Sequence, residues 1–152
     1  MPTATEVARG IGRVFARNGI WCLSEVSLKN ARRADLMGID AKGLIVIVEI
    51  KVARGELLGD TKWPDYLDFC DRFYWGVPPG LDRSPLDGAA YQPDVSGVIV
   101  ADAYDAEIVR PAPHTRLSAA LRKAQAELLA RLAMRRHTTR LDPHCAELDQ
   151  NA

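Results

Sequence analysis

The chain has 152 residues, 47% of them hydrophobic, and carries 20 basic and 20 acidic side chains. That is enough to bury one core and too little for two ordinary domains. No apolar stretch approaches the roughly 20 residues that span a bilayer, and Met1 to Val7 lack a basic-then-apolar signal pattern; the expectation is one cytoplasmic domain with no membrane partner. Cys22, Cys70 and Cys145 are far apart, odd in number and without a C-x-x-C pair, which speaks against a disulfide framework and a zinc site. A net charge of zero argues against indiscriminate nucleic-acid binding, yet the charge is unevenly spread. Residues 1–33 hold six Lys/Arg against two Asp/Glu, residues 34–110 seven against fourteen, and residues 111–152 seven against four.

In chain order, Thr3-Ala-Thr-Glu6 fits a capping box, and Val7, Ile11, Val14 and Phe15 follow at helical spacing until Asn18-Gly19 closes the first helix. Trp21 to Leu28 alternates like a strand, and Arg33 to Ile39 forms a second. Leu44 to Lys51 is apolar on both faces and reads as a central strand. Between the last two, Asp40-Ala-Lys-Gly43 suits a three-residue hairpin loop in which Gly43 supplies the left-handed residue and Asp40 pairs with Leu44. Residues 52–62 read as a loop. Pro64 suits the first turn of a helix carrying Tyr66, Phe69, Cys70 and Phe73, with Phe73 to Val77 turning into a strand. An irregular excursion from Pro78 to Asp94 precedes two strands, 97–101 and 107–110. Ser118 can cap a last helix that ends near Arg136. The domain is therefore expected over residues 1–137, with 138–152 a mobile tail.

The hairpin loop sets a register. If Asp40 opposes Leu44, Asp35 opposes Glu49 and Arg33 opposes Lys51, and Glu49 and Lys51 share one face. An opposed acid pair beside apolar neighbours destabilises a sheet unless a cation intervenes, and Mg²⁺ or Mn²⁺, which prefer oxygen ligands, would remove the repulsion. Such an ion lowers the pKa of a bound water and draws charge from a phosphate, while Lys51 steadies the attacking water or the developing charge. The competing reading is a salt-bridged patch at the sheet margin, with Lys51 and Arg33 neutralising the acids.

Ala34-Asp35, a hairpin, then Glu49-Ile-Lys51 at the end of an apolar strand resembles the core of the PD-(D/E)XK nuclease superfamily. More narrowly, Arg33-Ala-Asp-Leu36, Val48-Glu-Ile-Lys-Val52 and Gly59-Asp-Thr-Lys-Trp-Pro-Asp-Tyr66, continuing through Cys70 to Tyr74, resemble the MmcB-type bacterial DNA repair family. The resemblance implies a restriction-endonuclease-like α/β core, a central mixed sheet with an antiparallel hairpin flanked by helices. It also implies Asp35 and Glu49 as metal ligands, the Ile50 carbonyl as a third, Lys51 as a base-like catalytic residue, and Glu6 of the first helix as a further ligand. Ala34 stands where the superfamily has proline, which is not a ligand.

Asp60-Thr-Lys62 also spells D-x-K, but no apolar strand precedes it and it reads as a decoy for the catalytic motif. Lys62 and Arg33 are the candidates for phosphate contact, Lys62 through the electropositive start of the second helix; a helix cap and a solvated side chain are the alternative. Glu6 has the plain alternative of capping alone, and Glu25 that of an ion-pair partner for Arg33 or Lys51. Trp63, Tyr66, Tyr74 and Trp75 read as core rather than as base-stacking groups. Residues 115–137 carry six Lys/Arg against Glu127, either a phosphate-facing surface or a solvated face.

Three functions fit these residues: a Mg²⁺- or Mn²⁺-dependent DNA endonuclease or structure-selective repair nuclease, a DNA-binding repair factor with little activity of its own, and an interaction module whose acidic hairpin is structural. DNA is the expected partner in the first two, with other repair proteins or a homodimer as further partners.

Overall fold

The structure, a computed structural model, describes residues 1–150. Its frame is one six-stranded sheet ordered β1 (Trp21–Ser27), β2 (Arg33–Ile39), β3 (Ile45–Ile50), β4 (Arg72–Val77), β5 (Ser96–Ala101) and β6 (Ala106–Arg110). β3 and β4 pair in parallel, as do β4 and β5, and the other neighbours are antiparallel. The expected mixed sheet with an antiparallel hairpin, flanked by helices, is the fold observed. All six residues of β3 are buried, as expected for a central strand.

The hairpin has the anticipated turn. Asp40 N–H donates to the Leu44 carbonyl at 3.0 Å and Gly43 N–H to the Asp40 carbonyl at 3.0 Å. Gly43 adopts φ +84°, which a side chain would strain. From there β2 and β3 pair as Ile39 with Ile45, Met37 with Ile47 and Leu36 with Val48.

One face of the sheet is covered by α1 (Ala4–Arg17). Its capping box is complete: Glu6 N–H donates to Thr3 Oγ1 at 3.2 Å, and Thr3 N–H to Glu6 Oε1 at 3.4 Å, an arrangement worth about 1 kcal/mol. Val7, Ile11 and Phe15 pack against Leu36, Val48, Tyr74 and Ile99. Gly10 lets the helix approach the turn before β6, since a Cβ there would lie 2.1 Å from the Asp102 carbonyl oxygen.

The other face is covered by the two parallel crossovers and by α3 (Ala119–Leu141). Trp63, Tyr66, Phe73, Trp75 and Tyr91 form its centre, joined by Leu57, Leu86 and Leu129. Trp63 and Trp75 are fully buried and cross edge to face with centroids 5.3 Å apart, so these aromatics are core, as the sequence suggested. Truncating either to Ala costs about 3 to 5 kcal/mol.

Three boundaries differ from the sequence expectation. Residues 52–62 are not all loop, because α2 spans Arg54–Gly59 and buries Leu57 under the aromatic cluster. The segment led by Pro64 is a 3₁₀ turn, Trp63–Phe69, rather than an α-helix reaching Phe73; Phe73 belongs to β4, where it alternates with Trp75 into the same core. Residues beyond 137 are helical: α3 runs on to Leu141 and α4 covers His144–Leu148, held by an ion pair between Arg135 and Asp149. The remainder of the expected tail, 151 and 152, lies outside the described residues. No described helix is long and apolar enough to cross a membrane.

α3 starts at Ala119 with Ser118 as its cap, as the sequence suggested, and the segment before it is tethered to a buried acid. Asp71, fully buried, accepts from Arg122 Nη2 at 2.6 Å, from Leu117 N–H at 3.0 Å and from Ile45 N–H at 2.9 Å. Burial alone would raise this carboxyl's pKa, but the Arg122 guanidinium and the two N–H donors hold it well below the usual range. The tether fixes α3 to the start of β3 and β4.

Candidate acidic site at the β2–β3 strand ends

The β2–β3 ladder stops at Leu36 and Val48. The next step in that register brings Asp35 opposite Glu49, as the hairpin predicts, but here side chains replace backbone pairing. Ile50 N–H donates to Asp35 Oδ2 at 2.7 Å, and Asp35 N–H donates to Glu49 Oε1 at 3.1 Å. The two acids are thus locked together by each other's strands.

β1 explains how this happens. Backbone N–H groups along an antiparallel strand point alternately to its two neighbours. Counting from the Asp40–Leu44 bond, Asp35 N–H should face β1. The β1–β2 register runs through Ser24–Leu36 and resumes at Val26–Ala34, skipping Glu25 and Asp35. Glu25 sits at φ +53°, a left-handed conformation unusual for a non-glycine residue, and its carbonyl accepts from Arg136 Nη2 at 3.0 Å instead. Asp35 N–H is thereby released to Glu49.

The pair is electrostatically stressed. Glu49 is only 5% exposed; burial, then the Asp35 charge, push its carboxyl up to about 8 against the opposing pull of the Asp35 N–H and Lys51. Burial also raises Asp35, with Ile50 N–H, Lys51 and Arg33 acting the other way. Tyr66 hydroxyl donates to the Arg33 carbonyl at 3.0 Å. Its pKa is raised by burial and by Glu49, Asp35 and Asp60, so it edges the same site.

Lys51 leaves the end of β3 on this side, and its Nζ lies 2.9 Å from Asp60 Oδ2, both side chains being mostly buried. Asp60 therefore stands beside the site as the partner of Lys51, while its D-x-K still follows a short helix and not an apolar strand. The residue follows α2 and also accepts Lys62 N–H at 3.1 Å through Oδ1. An acid placed nine residues past the lysine and returned by one short helix leaves no local signature; only its D-x-K spelling was visible.

Of the other sequence candidates, Arg33 is exposed beside Asp35. Lys62 is exposed at the start of the 3₁₀ turn, which is too short to supply the helix dipole expected there. Glu6 stays in its capping box on α1, in the layer that packs on the sheet face lined by Leu36 and Val48. It is not brought to the acid pair. The Ile50 carbonyl belongs to the strand end that carries both acids.

Asp35 Oδ1 and Glu49 Oε2 receive no hydrogen bond from another described residue. Among the described residues no group of three or more His, Cys, Asp or Glu side chains is spaced to hold a metal ion. The donor set is thus two carboxylates with one open oxygen each. That composition suits Mg²⁺ or Mn²⁺, which keep several waters and take one or two carboxylates, and does not suit a site made wholly of side chains.

No curated protein matches the chain. Among solved structures it is similar to the SPO1766 protein of unknown function from Silicibacter pomeroyi, at 36% identity and a TM-score of 0.82, covering 95% of this chain and 94% of that one. The profile of the MmcB-like DNA repair proteins matches residues 1–144, nearly the whole length, and the chain belongs to that family.

Proposed function

We propose that this protein is a divalent-metal-dependent DNA nuclease of the PD-(D/E)XK kind acting in repair, with Asp35 and Glu49 as ligands and Lys51 at the chemical step. The observation that carries the reading is the locked acid pair: two carboxylates, each with one open oxygen, held side by side in a half-dry strand end with a lysine next to them. A sheet margin that served only for stability would gain nothing from an opposed acid pair whose burial and mutual repulsion outweigh its N–H donors and Lys51.

Mg²⁺ or Mn²⁺ bound there would supply Lewis-acid activation of water and of a phosphodiester. The chain's own part is to orient and to hold charge. Ile50 N–H aims Asp35, Asp35 N–H aims Glu49, and Asp60 keeps the Lys51 ammonium at the rim of the pair. Lys51 then steadies the attacking water or the negative charge that develops on the phosphate. Membership in a family of DNA repair proteins supports DNA, with other repair proteins, as the partner.

A second reading, a DNA-binding repair factor with little activity of its own, is favoured by one observation: Lys51 is engaged by Asp60 and would have to share its charge with a substrate. A cleavage screen of single-stranded, duplex, flap and junction DNA with Mg²⁺ or Mn²⁺ separates the two. Cutting that disappears in Asp35→Asn supports the nuclease; salt-sensitive binding of the same DNAs without cutting supports the binding factor.

A further inference from the structure

One groove of about 870 Å³ lies between β1, α3 and α4. It does not contain Asp35 or Glu49. It begins one strand away, at Glu25, which the β1–β2 register skips together with Asp35 and whose charge acts on Asp35. The groove therefore reaches β1, the neighbour of the strand that carries Asp35.

Its walls are chemically graded. Arg131, Arg135 and Arg136 line the helical side, with Leu128, Leu132 and Met134 beside them. Arg135 is paired with Asp149, and Arg136 donates to the Glu25 carbonyl. Arg131 is exposed and makes no ion pair with another described residue. Ser27 and Thr138 add hydroxyl donors at the rim. The two acids of the groove are Glu25, at the end next to Asp35, and Asp149, already taken by Arg135. The helical wall thus carries a net positive field, and the negative charge collects where the acid pair lies.

The wall is also fixed in place. Arg122 ties the start of α3 to the buried Asp71, and Arg136 ties its later turns to the distorted Glu25 of β1. A groove braced at both ends needs little ordering to receive a ligand, which favours binding.

Resting on the nuclease or DNA-binding reading above, the geometry points to this groove as the path of one nucleic-acid strand, its phosphates on the Arg131 side and its continuation passing Glu25 toward Asp35 and Glu49. The recognition is of phosphodiester, by cationic and hydroxyl donors beside apolar surface, and carries no base code. Phosphate contact from the last helix is confined to the face that includes Arg131; Arg140, on the same helix, does not line the groove.

Fluorescence anisotropy of labelled single-stranded and duplex DNA, across a salt series, tests this with the full chain. Arg131→Glu should weaken binding about tenfold or more and flatten the salt slope by about one contact, whereas Arg140→Glu, the same charge change on the same helix, should stay within about twofold of wild type. Circular dichroism and melting verify that both variants are folded, which their exposure favours. Equal losses in the two variants, or no loss in Arg131→Glu, would overturn the path while leaving the DNA-binding reading standing. A wild type with no salt-sensitive DNA affinity would remove both. Loss confined to single-stranded DNA, or shared with duplex, supports the path and identifies the form that enters it.

Discussion

The backbone N–H of Asp35 donates to Oε1 of Glu49 at 3.1 Å, a bond that exists because Glu25 has left the β1–β2 ladder. A backbone defect in one strand, braced from α3 by Arg136, thus builds the acid pair between the next two. A buried carboxyl raised to about 8 from an ordinary 4.5 keeps a proton in the folded protein that the unfolded chain releases. Its contribution to stability is present below pH 4.5 and is lost as pH rises through about 8. Urea denaturation of metal-free protein between those pH values should show stability falling by on the order of a few kcal/mol. Glu49→Gln should flatten the profile, and an unchanged slope in that variant would assign the effect elsewhere.

Divalent ions should act on the same pair. A ligand that binds only the folded state at about 100 times its dissociation constant adds about 2.7 kcal/mol, roughly 5 to 10 °C in a chain of this size. Mn²⁺ should raise the melting temperature of the wild type more at pH 8 than at pH 6, because fewer protons compete for Glu49 as pH approaches about 8. The Asp35→Asn/Glu49→Gln variant should show no such rise. Equal shifts in both proteins would move the ion to another site.

Asp71 and Arg122 make a prediction separate from the site. Arg122→Ala leaves the Asp71 carboxylate fully buried with its guanidinium partner gone, and breaking a buried pair in this way costs about 3 kcal/mol or more. Chemical denaturation should show the loss, with α3 loosening first in hydrogen exchange because the tether at its start is gone. A change below about 1 kcal/mol would show that the N–H donors of Ile45 and Leu117 suffice.

How much of this could be read from the sequence divides along locality. The Asp35–Glu49 opposition was legible because Gly43 admits one hairpin register and every later pair follows by counting. The capping box of Thr3 and Glu6 was legible for the same reason, being set by spacing within a few residues. The partners of Asp71 lie at 114–122, more than forty residues along the chain, so no local spacing could reveal the tether, although the Ser118 cap of the helix itself was legible. Asp60 was visible only as a motif, because its value depends on α2 folding it back onto Lys51. The left-handed backbone of Glu25 gave no sign in the sequence: its carbonyl is bound by Arg136 of α3, more than a hundred residues away.

Lys51 and Lys62 should separate in kinetics. Lys62 is exposed and at most touches a phosphate, so Lys62→Ala should weaken DNA binding by about one contact and leave the single-turnover rate at saturating DNA nearly intact. Asp60→Asn removes the anchor of Lys51 and should lower that rate with little change in affinity. A variant of Asp60 that lost binding instead would place the loop in substrate contact rather than in positioning.

Single-turnover cleavage by the wild type, Glu49→Gln and Lys51→Ala, each at saturating DNA with Mn²⁺, is the most direct measurement of the proposed chemistry. The expected result is cutting by the wild type and a loss of about a hundredfold or more in both variants, with DNA affinities that stay within about one phosphate contact of each other. Salt-dependent binding by the wild type with no metal-dependent cutting of any single-stranded, duplex, flap or junction DNA would contradict the account, as would variants that cut as fast as the wild type.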